Sequence, residues 1–501
     1  MDSLTTFLLL SFILYTIFLL LAPWRQRRSK LPPGPTPLPI IGNILQLGQD
    51  PHRRLAKLSK TYGPLMYLKL GSIHTIVASS PETAKEILQK HDRICCGRAE
   101  PRVSHIMEHH EPSMAWLPVG PKWRRFRKIC KEHMFTLHKM EASEGLRQHK
   151  LQQLRDYVEG CCSASGLVNF EEALFVTALN LISATLFSAE FAGFGSDSSH
   201  HEIKDTVQGM MKISGTPNIV DFFPVFGFLD PQGLSRKSKT YLVKVLDKFD
   251  EIIGQRLQER AEHAPRKNDL LEVLLDLNQE SDSDMSLHDI KHLLVDLFVA
   301  GTDTTTDSVQ WAMAELLRNP EKMSKAKNEV RGVIGDDEQV RESDIPKLPY
   351  LNAVIKESFR CHPPGPFLIP HKAEANVEIN GYTIPRGARI LVNVWAIGRD
   401  SSVWSNPDSF EPERFLGSKV DYRGQDFELI TFSSGRRICP GLPLAHLMVH
   451  LMVASMIHNF DWRLEPGMKP EDVDLNDVFG LSLHKAVPLK AYPIRRSELE
   501  I

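Results

Sequence analysis

The sequence predicts a mainly α protein with small β-sheets, and three observations support this fold class. Residues 140–350 follow a helical pattern over most of their length. Residues 65–79, 377–384 and 389–394 carry short apolar and β-branched runs that are typical of strands. A stretch of about 32 residues before Pro320 contains no proline, which predicts a single helix of roughly 48 Å. The fold class is therefore α+β, built around a central helix much longer than the average.

Composition narrows the class of protein. The chain has 501 residues, of which 42% are hydrophobic, and this is ample for a large core. Its formal net charge of −2 argues against a nucleic-acid-binding protein, which should be clearly basic. The seven cysteines are odd in number and form no C-x-x-C pair, which fits a reducing compartment better than a disulfide framework.

The N-terminal stretch predicts a membrane anchor over residues 1–23. Residues 4–22 carry no charge, and nineteen helical residues span roughly 28 Å, close to the thickness of a bilayer core. A cleaved secretory signal is the alternative, but the apolar run is long and no A-x-A site ends it. Positive charge directly after the run predicts that the following chain stays in the cytosol. The basic residues concerned are Arg25, Arg27, Arg28 and Lys30.

A proline-rich segment follows the predicted anchor. Residues 31–39 contain five prolines in nine positions, which excludes a helix and favours a stiff, extended strap. An SH3-type ligand or a plain linker would have the same composition. Directly after an anchor and a basic cluster, we interpret residues 24–40 as a rigid hinge that orients the domain 41–501 on a membrane.

Cys439 lies in the stretch Phe432-Ser-Ser-Gly-Arg-Arg-Ile-Cys-Pro-Gly441. Pro440-Gly441 predicts a turn, and an apolar helical run follows at 442–457. Backbone N–H groups and the helix dipole at such an N-terminus are expected to favour a thiolate over a thiol. One cysteine without partners is poorly suited to zinc, which needs four ligands, but suits the single soft ligand of a haem iron.

The middle of the long helix departs from helical preference. Gly301 is followed by short polar or β-branched residues, and burial of Asp303 would be costly without a partner. Such departures tend to mark functional sites. Gly301 would let a flat ligand approach the backbone, and Thr304 would bond a carbonyl one turn back or hold a water. A capping box at Ser286 and Asp289 is predicted to begin the helix.

Three further patterns carry chemistry. His105, Glu108 and His109 match H-x-x-E-H, a zinc-metallopeptidase signature, although four nearby prolines make a helix there doubtful and a solvated or substrate-facing loop is favoured. Trp123 and Arg127 are i,i+4 neighbours on a predicted helix and could hold a carboxylate together. Glu357 and Arg360 stand at i,i+3 and favour a bidentate pair. Each of these three patterns has a purely structural or solvated alternative.

Taken together, these motifs resemble the cytochrome P450 family over essentially the whole chain after residue 30. The matches are F-x-x-G-x-R-x-C-x-G around Cys439, [AG]-G-x-[DE]-T-[TS] at 300–305, E-x-x-R at 357–360 with Pro-Glu-Arg-Phe at 412–415, and W-x-x-x-R at 123–127. The resemblance implies the cytochrome P450 fold, with the long helix over a haem b. It further implies a haem-thiolate monooxygenase, an oxidoreductase that uses O2 and electrons derived from NADPH.

The resemblance also implies roles for individual residues. Cys439 would be the axial ligand of the haem iron, and Asp303 with Thr304 would deliver protons for O2 activation. Glu357, Arg360 and Arg414 would form a buried triad that locks the Cys439 loop. Other haem contacts would come from Trp123, Arg127, His371, Phe432, Gly435, Arg437 and Gly441, with His371 in place of the arginine of many plant relatives. Thr431 and Ser433 replace a proline and a glycine that plant relatives often carry beside Phe432.

Substrate and partners follow from the same resemblance. The hinge and the segments 127–132 and 348–357 resemble plant enzymes of the geraniol hydroxylase and ferruginol synthase group, which implies terpenoid oxidation in the endoplasmic reticulum membrane. A diterpenoid of abietane type is favoured, and a monoterpenol, a phenolic or an alkaloid stays open. Pocket candidates are the 103–117 loop, Asp296, Val299, Ala300, Phe367, Leu368, Leu481 and Leu483.

The electron source is expected to be a separate protein, because the sequence carries no G-x-G-x-x-G fingerprint and no flavin domain. The resemblance implies NADPH-cytochrome P450 reductase as this partner. A basic patch is predicted to dock it, formed by Arg124, Arg125, Lys128 and Lys131. A haem-thiolate isomerase or dehydratase would need no O2, and the intact Asp303-Thr304 pair argues against that class.

Overall fold

A computed structural model describes residues 3–26, 30–194, 198–280, 284–335 and 338–495. Its N-terminal half contains the helices α1 (Ser3–Gln26), α2 (Pro51–Tyr62), α3 (Pro81–Lys85), α4 (Asp92–Cys95), α5 (Pro121–His133), α6 (Leu137–Ala142), α7 (Glu144–Ser163), α8 (Phe170–Phe187), α9 (Ser198–Gly215), α10 (Ile219–Phe222) and α11 (Leu234–Ala261). The C-terminal half contains α12 (Leu270–Gln279), α13 (Leu287–Arg318), α14 (Pro320–Ile334), α15 (Pro349–Cys361), α16 (Val394–Ile397) and α17 (Leu442–Asn459).

The strands are short, as the prediction of small sheets requires. In chain order they are β1 (Leu65–Leu70), β2 (Ile73–Ala78), β3 (Gly97–Arg98), β4 (Val168–Asn169), β5 (His371–Lys372), β6 (Val377–Ile379), β7 (Tyr382–Ile384), β8 (Arg389–Val392), β9 (Phe460–Arg463), β10 (Asp477–Val478), β11 (His484–Lys485) and β12 (Lys490–Arg495). The largest sheet has the order β1-β2-β8-β5-β3, with β2 and β8 parallel and the other pairs antiparallel. A mainly α fold with small sheets is therefore confirmed.

The long central helix forms as predicted. It runs for 32 residues, and its first turn is closed by the predicted capping box, in which Ser286 accepts from Asp289 N at 3.1 Å and Asp289 accepts from Ser286 N at 3.0 Å. Asn319 ends it, because Pro320 cannot continue the ladder and begins α14 instead. α13 is buried along most of its length and packs chiefly on α8, which is itself apolar on nearly all sides. The helix is thus the central element of the core.

One strand prediction is wrong in detail. Residues 377–384 form the hairpin β6–β7 rather than a single strand, and the chain turns at Asn380 and Gly381 with φ of 51° and 78°. Asn-Gly suits this turn because both positions need positive φ. The predicted strand at 389–394 ends at Val392, since the Asn393 side chain accepts from Ala396 N and caps α16.

The N-terminal helix α1 exposes its apolar side chains. Phe7, Phe12 and Leu14 are 66%, 65% and 66% exposed, which is costly in water and is what an anchor in lipid would require. That α1 crosses a membrane stays a prediction, and Arg27 and Arg28 lie outside the described residues. Within the described residues, α8 and α17 are the helices long and apolar enough to cross a membrane, but 78% and 61% of their residues are buried inside the protein, as in core helices. The described apolar part of α1 is shorter, Thr5–Thr16.

The proline-rich segment is extended and packs on the domain. Its backbone accepts from Tyr67 N through Pro33 O at 2.9 Å and from Thr383 N through Lys30 O at 2.7 Å. A Cβ at Gly34 would lie 1.9 Å from Tyr67 O, so this approach to β1 requires glycine. The segment is therefore held against the sheet from residue 30 onward, and its role as a hinge stays a prediction.

Candidate active site

A cavity of about 370 Å³ lies between the middle of α13 and the start of α17. Most of its lining is apolar, and the polar groups are confined to a few places. Five of the predicted pocket residues line it: Asp296, Val299, Ala300, Leu368 and Leu481.

Two predicted pocket residues do not line the cavity. Phe367 is buried in a separate cluster under the large sheet, where its ring meets Phe479 edge-on at 5.8 Å. Leu483 is 1% exposed, and its backbone holds Pro364 and the Trp311 indole through hydrogen bonds of 2.8 and 3.1 Å. Both were placed in the pocket because they are apolar, a property that does not distinguish core from cavity.

The Cys439 loop enters the cavity from the α17 side. Cys439 N donates to Phe432 O at 2.9 Å, which closes the loop, and the Phe432 ring packs edge-on against Phe359 of α15. Gly435 has φ of 65°, and a Cβ there would lie 2.2 Å from Leu88 O, so this position requires glycine. Ser433 also has positive φ, 66°, where glycine would be unstrained. The loop is therefore fixed on both sides and bears one strained residue.

Cys439 is not a thiolate by virtue of the helix terminus alone. Burial raises the pKa of its thiol, although hydrogen bonds from the backbone N–H of Gly441 and Leu442 and the nearby Arg127 charge lower it. The expected contribution of the backbone N–H groups at the helix N-terminus is therefore present, but burial outweighs it. A metal cation bound to the sulfur would supply the missing stabilisation, because a coordinating thiol loses its proton to the metal.

A cationic rim surrounds one end of the cavity and consists of Arg98, Arg127, His371 and Arg437. Arg127 donates to Ile438 O at 2.8 Å, Arg437 donates to Cys96 O and Leu117 O, and Arg98 donates to Ala115 O and Ile369 O. None of the three arginines has a carboxylate within 4.0 Å among the described residues. The guanidinium groups of Arg127 and Arg437 lie over the Trp123 ring, 5.6 and 5.0 Å from its centroid.

The rim has the electrostatics of a site for an anion. Burial and then the mutual repulsion of the guanidinium groups lower the pKa of Arg98 well below its ordinary value, and burial lowers that of Arg437 to about 10. Burial and the Arg98 charge lower the pKa of His371 to about 3, which leaves the imidazole neutral. Like charges without counter-charges at this depth need a ligand that brings negative charge.

Two buried donors of the rim have no protein partner. Arg437 Nη1 and His371 Nε2 are both inaccessible and make no hydrogen bond within the described chain, whereas His371 Nδ1 bonds Cys95 O at 2.8 Å. Carboxylates on a flat cofactor would satisfy both atoms and neutralise the rim. With Cys439 on the same cavity wall, the residues present fit the haem that the sequence predicts, with its propionates at the rim.

Arg98 is a rim residue that the sequence analysis missed. It forms β3 with Gly97, pairs with His371 in the sheet, and is 6% exposed. No motif in the sequence marks it, because the residues it meets at the rim are 17 (Ala115) to 339 (Arg437) positions away in the chain.

The predicted triad of Glu357, Arg360 and Arg414 comes together. Glu357 accepts two hydrogen bonds of 2.7 Å from Arg360 and one of 3.1 Å from Arg414; Glu357 and Arg360 are buried, and Arg414 is half-buried. The arginines then donate to backbone carbonyls between residues 398 and 409. The triad thus fixes this segment to α15. The Cys439 loop contacts the neighbouring residue of α15, Phe359, through the Phe432 ring. Its predicted role of locking the Cys439 loop stays a prediction.

The two polar residues predicted to deliver protons point in different directions. Thr304 lines the cavity, and its hydroxyl donates to Ala300 O at 2.8 Å, one turn back as predicted. Asp303 does not line the cavity and is 2% exposed, and its carboxylate accepts from Ser482 Oγ at 2.6 Å. Gly301 lines the cavity, but a Cβ there would also lie 2.8 Å from Ile182 Cδ1, so packing against α8 is a second reason for glycine.

Asp303 belongs to a network that the sequence analysis missed. His484 Nε2 lies 3.1 Å from Ser482 Oγ, and His484 Nδ1 lies 3.0 Å from a carboxylate oxygen of Asp307, one turn along α13. These residues meet because β11 crosses α13, and no local pattern around 482–484 indicates this contact. The spacing of Asp303 and Asp307 at i,i+4 was the only available signal, since it puts two acids on one buried face.

The H-x-x-E-H pattern does not form a zinc site. Arg102–Glu108 is a kinked 3₁₀ segment with non-helical dihedrals inside it, rather than the helix that would present His105 and His109 on one face. The His105 ring instead packs on His110, with centroids 3.9 Å apart. The predicted metallopeptidase constellation, with Glu108 as its base, is therefore absent from this described segment.

His109 instead helps to hold the cavity roof. It lines the cavity, its Nε2 lies 3.4 Å from Asp296, and its Nδ1 lies 2.7 Å from His292 Nδ1. Asp296 also accepts from Ser113 Oγ at 2.9 Å and from Ala115 N at 3.3 Å. The predicted substrate-facing loop at 103–117 is thereby tied to α13 through one carboxylate.

The predicted docking patch is exposed at three of its four positions. Arg124, Lys128 and Lys131 lie on the solvent face of α5. Arg125 is half-buried and forms an ion pair with Asp284, so its charge is already neutralised. The exposed basic surface is therefore smaller than the sequence suggested.

Comparison with known proteins agrees with this geometry. The profile of the family described as Cytochrome P450 matches residues 32–488. The chain is 54% identical to Cytochrome P450 76T24 of Catharanthus roseus over 470 residues, covering 94% of each protein. It is 49% identical to a ferruginol synthase of Isodon rubescens over 497 residues, covering 99% of this chain and 100% of the relative. It is 48% identical to a carnosic acid synthase of Rosmarinus officinalis over 469 residues, covering 93% of each.

Proposed function

The chain belongs to the cytochrome P450 family, and we propose that it is a monooxygenase that hydroxylates a terpenoid, with a diterpenoid of abietane type favoured. As a family member it is an oxidoreductase that carries haem and receives electrons from NADPH through a reductase. The observation that carries the proposal is the cavity itself, with one cysteine and an uncompensated cationic rim on its walls and apolar side chains over most of the rest.

Haem, held by the Cys439 sulfur, would supply the activation of O2 and the attack on an unreactive C–H bond. Arg98, Arg127 and Arg437 would hold its propionates, while neutral His371 would donate through Nε2. Trp123 fixes two of these guanidinium groups from the side by cation–π contact. Phe432, Gly435 and Gly441 shape the loop that presents the sulfur.

Thr304 is one of the polar residues of α13 that line the cavity, together with Asp296, Thr305 and Ser308. Because its hydroxyl hydrogen is used on Ala300 O, its oxygen is left to accept from a water or a substrate hydroxyl in the cavity. The apolar lining excludes bulk water from the rest of the cavity and favours a hydrocarbon skeleton. Asp303 does not line the cavity and reaches it only through Ser482, whereas the sequence placed Asp303 beside Thr304 as a direct proton donor.

Three of the relatives are named for the synthesis of ferruginol, sugiol and carnosic acid, and this supports the choice of a terpenoid. The mostly apolar cavity supports it independently. Microsomes that contain this protein and an NADPH-dependent reductase should convert a diterpene of abietane type to a hydroxylated product, detected by mass spectrometry. Conversion of geraniol or of a phenolic alone, with no diterpene product, would overturn the substrate class while leaving the monooxygenase proposal intact.

The axial ligand is tested by Cys439→Ser, with Cys161→Ser as the control at a half-buried cysteine outside the cavity. The first variant should lose the red-shifted Soret band of the reduced protein with carbon monoxide, together with turnover. The control should keep both. A Cys439→Ser protein that retained the band would remove the basis of the proposal.

Reductase docking is tested by charge reversal on the solvent face of α5. We propose that Arg124, Lys128 and Lys131 contact an acidic surface of NADPH-cytochrome P450 reductase in the endoplasmic reticulum membrane. Reversing all three to glutamate should slow the first electron transfer, and the effect should grow as salt is lowered. Reversal of one arginine and two lysines on α11, Arg236, Lys237 and Lys239, is the matched control. Equal rates in the two triple variants would refute the docking site.

A further inference from the structure

Four polar side chains form a continuous chain behind the cavity wall. Ser482 Oγ donates to Asp303 Oδ2 at 2.6 Å and lies 3.1 Å from His484 Nε2. His484 Nε2 also lies 3.7 Å from Asp303 Oδ2, and His484 Nδ1 is held by Asp307 at 3.0 Å. These contacts join the middle of α13 to β11, which are far apart in the sequence.

The chain has one end in the cavity and the other end near water. Ser482 lines the cavity beside Thr304 and Thr305. The side chains of Asp303 and Asp307 are 2% and 3% exposed, whereas that of His484 is 18% exposed. A proton could therefore pass from solvent to the cavity through groups that are each within 3.7 Å of the next.

The charges of the network suit proton transfer near neutral pH. Burial and the Asp307 charge raise the pKa of Asp303 to about 7, and burial raises that of Asp307. The two carboxylates outweigh burial and raise the pKa of His484 to about 10. Among the described residues, Glu171 of α8 also faces the network, and it is held by Lys204 at 3.3 Å and Gln208 at 2.7 Å.

The same contacts resemble a Ser-His-Asp nucleophile, and the charges argue against that function. Ser482 already donates to Asp303, and an imidazolium at His484 has no free lone pair to accept the serine proton. The imidazolium also neutralises much of the carboxylate charge, which weakens the case for a metal ion at the cluster of Asp303, Asp307 and His484. A donor that is charged and reaches water is instead suited to supply protons.

We propose that His484 is the solvent-side proton donor of this monooxygenase and that Ser482, rather than Asp303, hands the proton into the cavity. The inference rests on the proposed function, whose balance is R–H + O2 + 2 e⁻ + 2 H⁺ → R–OH + H2O. In each pass, Ser482 releases its hydroxyl proton to an acceptor in the cavity and takes the Nε2 proton of His484, whose Nε2 lies 3.1 Å from Ser482 Oγ. Water restores the proton of His484, and the Asp303 carboxylate holds the Ser482 hydroxyl between passes. Asp307 keeps the Nδ1 proton in place, so His484 acts through Nε2 alone.

The test uses the full-length protein with its reductase in microsomes. His484→Gln and Ser482→Ala should lower product formed per NADPH about a hundredfold or more, in line with the usual contribution of a positioned proton donor. Both variants should keep the carbon monoxide band and the substrate-induced spectral shift, and their turnover should show a larger H2O/D2O ratio than the wild type. Ser482→Thr restores the hydroxyl and should restore coupling. His149→Gln, at an exposed histidine of α7, is the control.

Product yield and isotope ratio in His484→Gln within twofold of the wild type would overturn the proposal, as would a Ser482→Ala variant that stays coupled. If His484→Gln lost its haem band through misfolding, the Ser482→Ala and Ser482→Thr pair decides the matter, because both keep His484. Failure of the proposed function would look different: the wild type itself would then give no hydroxylated terpenoid.

Discussion

The cationic rim and the acid network are two buried polar clusters at one cavity, and they differ in whether their buried charges have counter-charges. No carboxylate of the described residues lies within 4.0 Å of the rim arginines Arg98, Arg127 and Arg437, and burial lowers their pKa values. The network holds Asp303 and Asp307 against His484, and burial raises the pKa of both acids while they raise that of the histidine.

This difference distinguishes a site whose charges require a bound ligand from a site whose charges are compensated by its own residues. Burying a charge without a counter-charge costs free energy of desolvation. A fold that keeps three such arginines is therefore expected to be stabilised by a bound anionic ligand. A cluster that contains its own counter-charges needs no ligand and can exchange protons within itself. A third case is the triad of Glu357, Arg360 and Arg414. There the carboxylate compensates both arginines, and the contacts hold the backbone segment 398–409 on α15.

Loss of compensation in the triad should have the largest effect on stability. Glu357→Gln leaves two buried guanidinium groups without their shared carboxylate, and we expect the free energy of unfolding to fall by about 3–5 kcal/mol. Urea unfolding measures this, with Glu141→Gln at an exposed position as the control. A loss below about 1 kcal/mol would mean that the triad arginines are satisfied by backbone carbonyls alone.

A substitution in the rim should weaken haem binding more than it lowers the free energy of unfolding, the opposite of the triad. Arg98→Met removes a buried charge that has no carboxylate within 4.0 Å among the described residues and donates only to the backbone oxygens of Ala115 and Ile369, so the apoprotein should lose less stability than the triad variant. One charge-assisted contact to a propionate should be lost, about 1.5–3 kcal/mol, which corresponds to roughly ten- to a hundredfold faster haem release. Transfer of haem to an excess of apoglobin measures this rate.

Arg93→Met is the matched control for the rim, since Arg93 is exposed and does not line the cavity. Its haem release should equal that of the wild type. If Arg98→Met released haem at the wild-type rate and unfolded at a much lower urea concentration, Arg98 would stabilise the fold, as the triad arginines do, and would not bind haem.

The pH dependence of stability should separate the network from the rim. The pKa of His484 is raised from 6.5 to about 10 on folding, so its contribution is fully present below pH 6.5 and is lost as pH rises through 10. The raised pKa of Asp303 has the reverse consequence, a cost that grows between about pH 4 and 7 and is constant above that. Between pH 8 and 10.5 we therefore expect the wild type to lose about 2 kcal/mol more than His484→Gln. Parallel curves for the two proteins would exclude a charged His484.

The smallest predicted effect concerns Ser433 in the Cys439 loop. Its φ of 66° is strained for serine, and its buried hydroxyl has no partner among the described residues. Ser433→Gly should therefore raise the free energy of unfolding by about 1 kcal/mol, after allowance for the greater freedom of glycine in the unfolded chain. Thermal unfolding measures this, and a decrease would show that the hydroxyl is satisfied when haem is bound.

Sequence patterns were sufficient wherever the relevant contacts are local in the chain. The capping box at Ser286, the proline that ends α13 and the Cys439 loop each depend on residues within a few positions of one another. The missed Asn380-Gly381 hairpin was local too, and turn chemistry would have identified it. Local patterns also located the polar interruption at Asp303, because a buried helix has no other reason to contain it.

Only the tertiary structure decided which side chains meet across the chain. Arg98 reaches the rim through a two-residue strand, and His484 reaches Asp303 because β11 crosses α13; neither contact has a counterpart in sequence spacing. Phe367 and Leu483 were assigned to the pocket because apolarity is equally compatible with core and cavity. The sequence by itself determined the fold class, the central helix and the cysteine loop, since these follow from nearest-neighbour preferences. The direction of Asp303, the makeup of the rim and the path to solvent depend on long-range packing, which no local preference encodes.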